Sequence, residues 1–146
     1  MSRPAVIVDT NVVVAGLLTK QDASPVARIL DGMLGAAFPF VLSEALLAEY
    51  RAVLIRPDLR KLHRLTVAEV EAILTDLAQH AIVLAPVGAP PAPDPGDQLR
   101  WELLTARADI VLVTGDKLLH RDAGMQGRVI SPSAFVSDTD RGHKAP

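Results

Sequence analysis

The chain has 146 residues, a length that suits one domain able to bury roughly two-thirds of its unfolded surface. Hydrophobic residues make up 49% of it and charged residues 22%, which excludes a disordered chain. Cysteine is absent, which excludes disulfides, thiolate metal ligands and thiol nucleophiles, and favours the reducing cytoplasm as its location. The formal net charge is −2; four acids devoted to a metal would leave the other residues at −2 + 4 = +2, so charge neither favours nor excludes a nucleic-acid substrate.

Apolar β-branched runs alternate along the chain with segments of helical spacing. Strands are predicted at Ala5–Val8, Phe38–Leu42, Ala81–Leu84, Ile110–Val113 and Val129–Ile130. Helices are predicted after Asp9, at Ser24–Gly35, from Ser43 to Arg56-Pro57, after Thr66, from Asp94 to about Arg107, and around Lys117 to His120. This alternation predicts an α/β fold, three-layer α/β/α with a central parallel sheet. We expect one domain over residues 1–137, a flexible tail over 138–146, and no membrane span.

Three of the predicted helices have explicit start signals. Ser24 precedes Pro25, a residue favoured at the first helical position, and Ser43 precedes an apolar stripe. Thr66 is followed three residues later by Glu69, which predicts a capping box.

Two acids follow predicted strands at the edge where parallel sheets place their sites. Asp9 directly follows the first strand, and Asp116 comes shortly after the fourth. Each could equally be the N-cap of the next helix. Taken alone, Asp97 in the first turn of a helix and Glu49 inside a helix are ordinary residues, so only the ordered set points to a site.

That ordered set resembles the PIN-domain family, particularly the toxin components of bacterial toxin–antitoxin pairs. The resemblance covers nearly the whole chain and rests on Val8-Asp9-Thr10-Asn11, Leu46-Leu47-Ala48-Glu49-Tyr50-Arg51 with Arg56-Pro57, Asp94-Pro95-Gly96-Asp97, and Val113-Thr114-Gly115-Asp116-Lys117. It implies that the catalytic, metal-binding acids are Asp9, Glu49, Asp97 and Asp116, with Asn11 and Thr114 as supporting polar groups. Trp101 and Glu102 replace the small residues that the family often has after the third acid, which changes the expected pocket shape.

Clustered carboxylates have a chemical consequence of their own. Each raises the pKa of the others unless a divalent cation compensates their charge, so the cluster implies a metal. Oxygen ligands favour Mg²⁺ or Mn²⁺, and such a cation can activate water for attack on a phosphodiester. Together with this chemistry, the PIN-domain resemblance implies a metal-dependent endoribonuclease that hydrolyses RNA through metal-activated water. By the resemblance it is the toxin of a toxin–antitoxin pair, restrained by a cognate antitoxin protein; a homodimer is left open.

A basic stretch follows the Glu49 segment. It comprises Arg51, Arg56, Arg60, Lys61 and Arg64, opposed only by Asp58. Such a run is usually a solvated helix face, but beside a nuclease site it could bind the phosphate backbone or dock an acidic partner. We assign substrate binding to Arg51, Arg56 and Arg60.

Other functions remain open on the sequence alone. A structure-specific DNA nuclease could use the same metal site, and a non-catalytic PIN-like binding module would share the fold. A phosphate-accepting receiver is disfavoured, because the first strand is followed by Asp9-Thr10-Asn11 rather than by an acidic pair. None of the four histidines has metal-ligand spacing.

Overall fold

The computed structural model of the chain describes residues 5–85, 98–117, 119 and 128–144, the last five of them as backbone only. The strands are β1 (Val6–Val8), β2 (Val41–Leu42), β3 (Ile82–Val83), β4 (Val111–Val113) and β5 (Val129–Ile130). The helices are α1 (Thr10–Leu18), α2 (Pro25–Leu34), α3 (Glu44–Leu54), α4 (Pro57–His63), α5 (Val67–His80), α6 (Gln98–Ala106) and α7 (Pro132–Lys144). Within these described ranges no helix has the length and apolar character that a membrane crossing requires.

The strands confirm the predicted parallel sheet. One ladder has the order β1-β4-β5 and a second pairs β2 with β3, and every pairing is parallel. A single parallel bridge between Val6 and Phe40 joins the ladders, and the Val6 amide donates to the Pro39 carbonyl at 3.2 Å. The resulting order is β3-β2-β1-β4-β5. Since β1 is buried along its whole length, helices must cover both faces, as the predicted α/β/α arrangement requires.

Strand order determines where a site can form. From β1 the chain continues to β2 and β3 on one side, and β4 and β5 lie on the other. The loops that leave β1 and β4 therefore diverge, and a crevice opens at the carboxyl ends of these two strands.

The predicted helix starts are confirmed. Ser24 and Ser43 cap α2 and α3 with their hydroxyls, and Thr66 and Glu69 form the reciprocal capping box of α5. The sequence predicts only the end of α3 at Pro57, whereas the structure has a further helix, α4, that begins there. The residue before a proline avoids helical geometry, while the proline itself fits a first helical position, so Arg56-Pro57 separates two helices.

Helix α7 runs through residues for which the sequence predicted a tail. It continues to Lys144, and its first half packs on α2 and the segment before β2. Val136 is buried, and the Phe135 ring meets the Phe38 ring edge-on with their centroids 4.9 Å apart. The segment from 138 onward is rich in Asp, Arg, Gly and Lys, a composition without the apolar spacing that would have predicted a helix.

Candidate functional site

Asp9 lies at the junction of β1 and α1. Its backbone amide donates to the Val113 carbonyl at 2.9 Å, which extends the β1–β4 pairing by one residue. As the N-cap of α1, its Oδ1 accepts the Thr10 amide at 2.9 Å. The N-cap interpretation is therefore correct, but this carboxylate is only 4% exposed and has further partners.

Those partners include a buried arginine that the sequence analysis did not select. Arg100, on α6, is 6% exposed, and its Nε donates to Asp9 Oδ1 at 2.6 Å. Its two terminal nitrogens reach Glu49: Nη2 hydrogen bonds to Oε2, and Nη1 donates to Oε1 at 3.4 Å. Burial disfavours the charged guanidinium, but hydrogen bonds and negative charge from Glu49 and Asp9 outweigh this and raise the pKa of Arg100. One buried cation thus bridges two carboxylates.

Glu49 is held beside Asp9 by helix α3. The Thr10 hydroxyl donates to Glu49 Oε2 and accepts from Arg100 Nη2 at 3.3 Å. The next residue, Tyr50, is fully buried and donates its hydroxyl to the Val8 carbonyl at the end of β1. Burial, with added repulsion from Asp9, raises the pKa of Tyr50, so the phenol remains a neutral donor that fixes α3 to β1.

Thr114 joins the end of β4 to the same site. Its hydroxyl donates to Asp9 Oδ2 at 2.7 Å and accepts the Asp116 amide at 3.0 Å. The Asn11 side chain crosses the same gap: Nδ2 lies 3.2 Å from Thr114 Oγ1 and 3.4 Å from Asp9 Oδ2, and Oδ1 accepts the Gly115 amide at 3.3 Å. The two strand ends are therefore locked together around Asp9.

Most of the acids singled out in the sequence meet at this crevice. Asp9 and Glu49 share Arg100, and Asp116, half-buried, is connected to Asp9 through Thr114. Asp97 lies outside the described residues. Across the described ranges, no three His, Cys, Asp or Glu side chains are grouped so that they could hold a metal ion. Arg100 belongs to no motif, yet it precedes Leu103 and Leu104 by one helical turn on the buried face of α6, and that position was a usable signal.

The basic stretch divides into two parts. Arg51 pairs with Glu71 of α5, with Nε 2.7 Å from Oε1 and Nη2 3.3 Å from Oε2, so it connects two helices. Arg56 is exposed at the start of α4. A surface pocket of about 440 Å³, here called the basic pocket, is lined by Pro57, Arg60, Lys61, Arg64, Leu65 and Thr66.

Comparison with known families agrees with this geometry. A family model for the PIN domain matches residues 5–118, most of the chain, and the chain therefore belongs to the PIN-domain family. PIN domains are generally nucleases and generally use divalent metal ions. A search of curated proteins finds no match. The matched range contains Arg100 and all four acids, whereas β5 and α7 lie beyond it.

Proposed function

We propose that this protein is a Mg²⁺- or Mn²⁺-dependent endoribonuclease, and that it is the toxin of a toxin–antitoxin pair. The observation that carries the proposal is that Asp9 and Glu49 meet around Arg100 at the carboxyl ends of β1 and β4, with the backbone amide of Asp116 bound to Thr114 beside them. In a parallel sheet this crevice is where ligands bind.

The residues fit a divalent cation by donor chemistry and by charge. Asp9, Glu49 and Asp116 offer only carboxylate oxygens, the ligands that Mg²⁺ and Mn²⁺ prefer. Their negative charges exceed the single positive charge of Arg100, and a divalent cation would reduce that excess. Asp97 would add to the same set by the family resemblance.

The chain's own residues prepare this site for phosphodiester hydrolysis. When bound, the cation supplies an activated water and neutralises charge on the phosphate. Thr114 and Asn11 hold Asp9, and Tyr50 fixes the helix that carries Glu49, so the carboxylates are positioned before substrate arrives. Arg56 and the basic pocket supply positive charge for the RNA backbone.

Cleavage of defined nucleic-acid pools tests the enzymatic part. Purified protein is incubated with a mixed RNA pool and the matching DNA pool, in EDTA or with added Mg²⁺ or Mn²⁺. We expect RNA cleavage that EDTA abolishes and either cation restores, since the ligands are hard oxygens. Asp116→Asn should abolish cleavage while the protein stays folded, and the control Asp58→Asn, at an exposed position on α4, should cleave normally.

The failures of this experiment are distinguishable. Cutting that persists in excess EDTA would exclude the metal mechanism. Preferential cutting of DNA would favour the DNA nuclease, and RNA binding without cleavage would favour a non-catalytic module.

The toxin proposal rests on the family resemblance and has a separate test. Expression of the chain alone should arrest growth of a bacterial host, and Asp116→Asn should relieve the arrest at equal protein level. Co-expression of the cognate antitoxin should relieve it too. Unimpaired growth with abundant folded, cleaving protein would exclude the toxin role while leaving the nuclease.

A further inference from the structure

We infer that Arg100 is a built-in counter-cation: it holds Asp9 and Glu49 in the metal-free protein and competes with the divalent cation for their oxygens. This inference rests on the metal site proposed above. It assigns to Arg100 a positioning and competing role that the metal-ligand acids alone would not predict.

The carboxylate of Asp9 is already fully hydrogen-bonded within the protein. A carboxylate has about four lone-pair sites, two on each oxygen. Oδ1 accepts from the Thr10 amide and from Arg100 Nε, and Oδ2 accepts from Thr114 Oγ1 and from Asn11 Nδ2. All four sites are filled, so a cation can coordinate Asp9 only if one donor leaves.

The oxygens of Glu49 that a cation would need are also occupied by hydrogen-bond donors of the protein. Its Oε2 accepts from the Thr10 hydroxyl and from Arg100 Nη2, and Oε1 faces Arg100 Nη1 at 3.4 Å. Thr10 also donates to both carboxylates, through its amide and its hydroxyl, but Arg100 is the only charged donor in these contacts that does so.

Arg100 is the donor whose departure best accommodates a cation, because it is the only charged one; Asn11 Nδ2, at 3.4 Å, is held more weakly, but its departure would leave the positive charge of Arg100 in place. The Thr10 amide belongs to the first turn of α1, and the Thr114 hydroxyl joins β4 to β1, so neither can leave without opening the site. Arg100 reaches Asp9 from α6 through a long side chain with several rotatable bonds. Its positive charge is replaced when the cation arrives, so buried Asp9 and part-buried Glu49 remain compensated in both states.

Replacement of Arg100 shows whether its side chain competes with the divalent cation or only stabilises the fold. In Arg100→Gln, the metal-free protein should melt roughly 5–10 °C lower, because buried Asp9 and part-buried Glu49 lose their cation. The same variant should bind Mn²⁺ about tenfold more tightly by calorimetry, and the rise in Tm on adding Mn²⁺ should exceed that of the wild type. Arg100→Lys keeps the positive charge but cannot bridge both carboxylates. Any increase in its Mn²⁺ affinity would therefore come from carboxylate oxygens that have lost a hydrogen-bond donor, not from loss of charge.

Arg128 provides the matched control. It is also a partly buried arginine, but it donates to the Ile110 and Arg107 carbonyls instead of to carboxylates. Arg128→Gln should lower Tm without changing Mn²⁺ affinity.

A double-mutant cycle in the metal-free protein gives a readout independent of metal. Asp9→Asn should lower Tm in the wild type, because it breaks the ion pair, and should leave Tm unchanged or raise it in the Arg100→Gln background. Equal effects in both backgrounds would overturn the inference. The inference would also be overturned if the wild type binds Mn²⁺ and Arg100→Gln binds it equally or more weakly. That result would not contradict the proposed nuclease function. If neither protein binds Mn²⁺, both proposals fail.

Discussion

Single residues at the crevice serve two purposes at once. Asp9 caps α1 and also accepts from Arg100 and Thr114, and Thr10 begins the same helix while its hydroxyl connects Glu49 to Arg100. A buried, fully hydrogen-bonded network of this kind fixes side-chain positions, because any lost partner leaves a desolvated polar group behind. Substitutions here are therefore expected to affect both stability and function.

The two glutamates of α3 should separate these effects. Glu44 is exposed in the first turn, where a carboxylate interacts favourably with the helix dipole, whereas Glu49 accepts from Thr10 and Arg100. We expect Glu49→Gln to remove most RNA cleavage and Glu44→Gln to cost only about 0.3–1 kcal/mol of stability. Cleavage rates and thermal melts of both variants check this. An essential Glu44 with a dispensable Glu49 would mean that the other face of α3 is turned toward the metal.

At the residue scale, the sequence predicts the location of a side chain where the signal is local or carried by a family motif, while the catalytic and metal-binding roles of these residues stay predictions. The positions of Asp9, Asn11, Thr114 and Asp116 follow from their places after β1 and β4. The sequence does not predict the role of Arg100, because its contact with Asp9 spans 91 residues and depends on how α6 packs on the sheet. No local sequence pattern encodes that packing. The only signal for Arg100 in the sequence is that this charged residue lies on the apolar face of α6.

At the scale of elements, caps and proline explain most boundaries. Ser43 and Thr66 begin α3 and α5 where predicted, and the Arg56-Pro57 pair ends one helix and permits another. Strands β2 and β3 contain only two paired residues each and are therefore shorter than the apolar sequence runs that predict them. The length of a strand depends on how far the neighbouring strand pairs with it, and not only on its own sequence.

The close approach of α1 to α2 depends on Gly16. A Cβ added there would lie 2.8 Å from the Val26 carbonyl oxygen and 3.0 Å from Leu30 Cβ, so the helices would have to separate. Gly16→Ala should therefore lose about 1–3 kcal/mol of stability, a drop in Tm of roughly 3–10 °C. Gly35→Ala is the milder control, since its nearest atom, the Asp31 carbonyl oxygen, would be 3.3 Å away. Equal Tm values for Gly16→Ala and the wild type would show that α2 can move aside at little cost.

At the scale of the whole molecule, the net charge of −2 conceals an uneven distribution. Three cations, Arg60, Lys61 and Arg64, line the basic pocket, and within the described ranges none of them is paired with a carboxylate. At the crevice, by contrast, Asp9 and Glu49 surround a single cation, Arg100, and Asp116 lies nearby in the chain. This separation lets an acidic protein offer a basic surface to a polyanion.

Salt dependence of RNA binding tests that surface. The double variant of Arg60→Gln and Arg64→Gln should bind RNA more weakly regardless of sequence and should reduce the slope of log affinity against log salt by about 1–2, as expected for lost phosphate contacts. Arg107→Gln is the control, because Arg107 is already paired with Asp109 and does not line the basic pocket, and it should keep the wild-type slope. An unchanged slope in the double variant, together with weaker binding to the antitoxin, would assign the basic pocket to that partner instead.

The contact between Thr114 and Asp9 also has a consequence for synthesis of the protein. The two residues are 105 positions apart, so β1 leaves the ribosome long before the strand that completes its crevice. Throughout that interval Asp9 and Asp116 are on segments that have not met. The crevice, and with it the proposed cleavage of RNA, therefore cannot form before the ribosome has released β4.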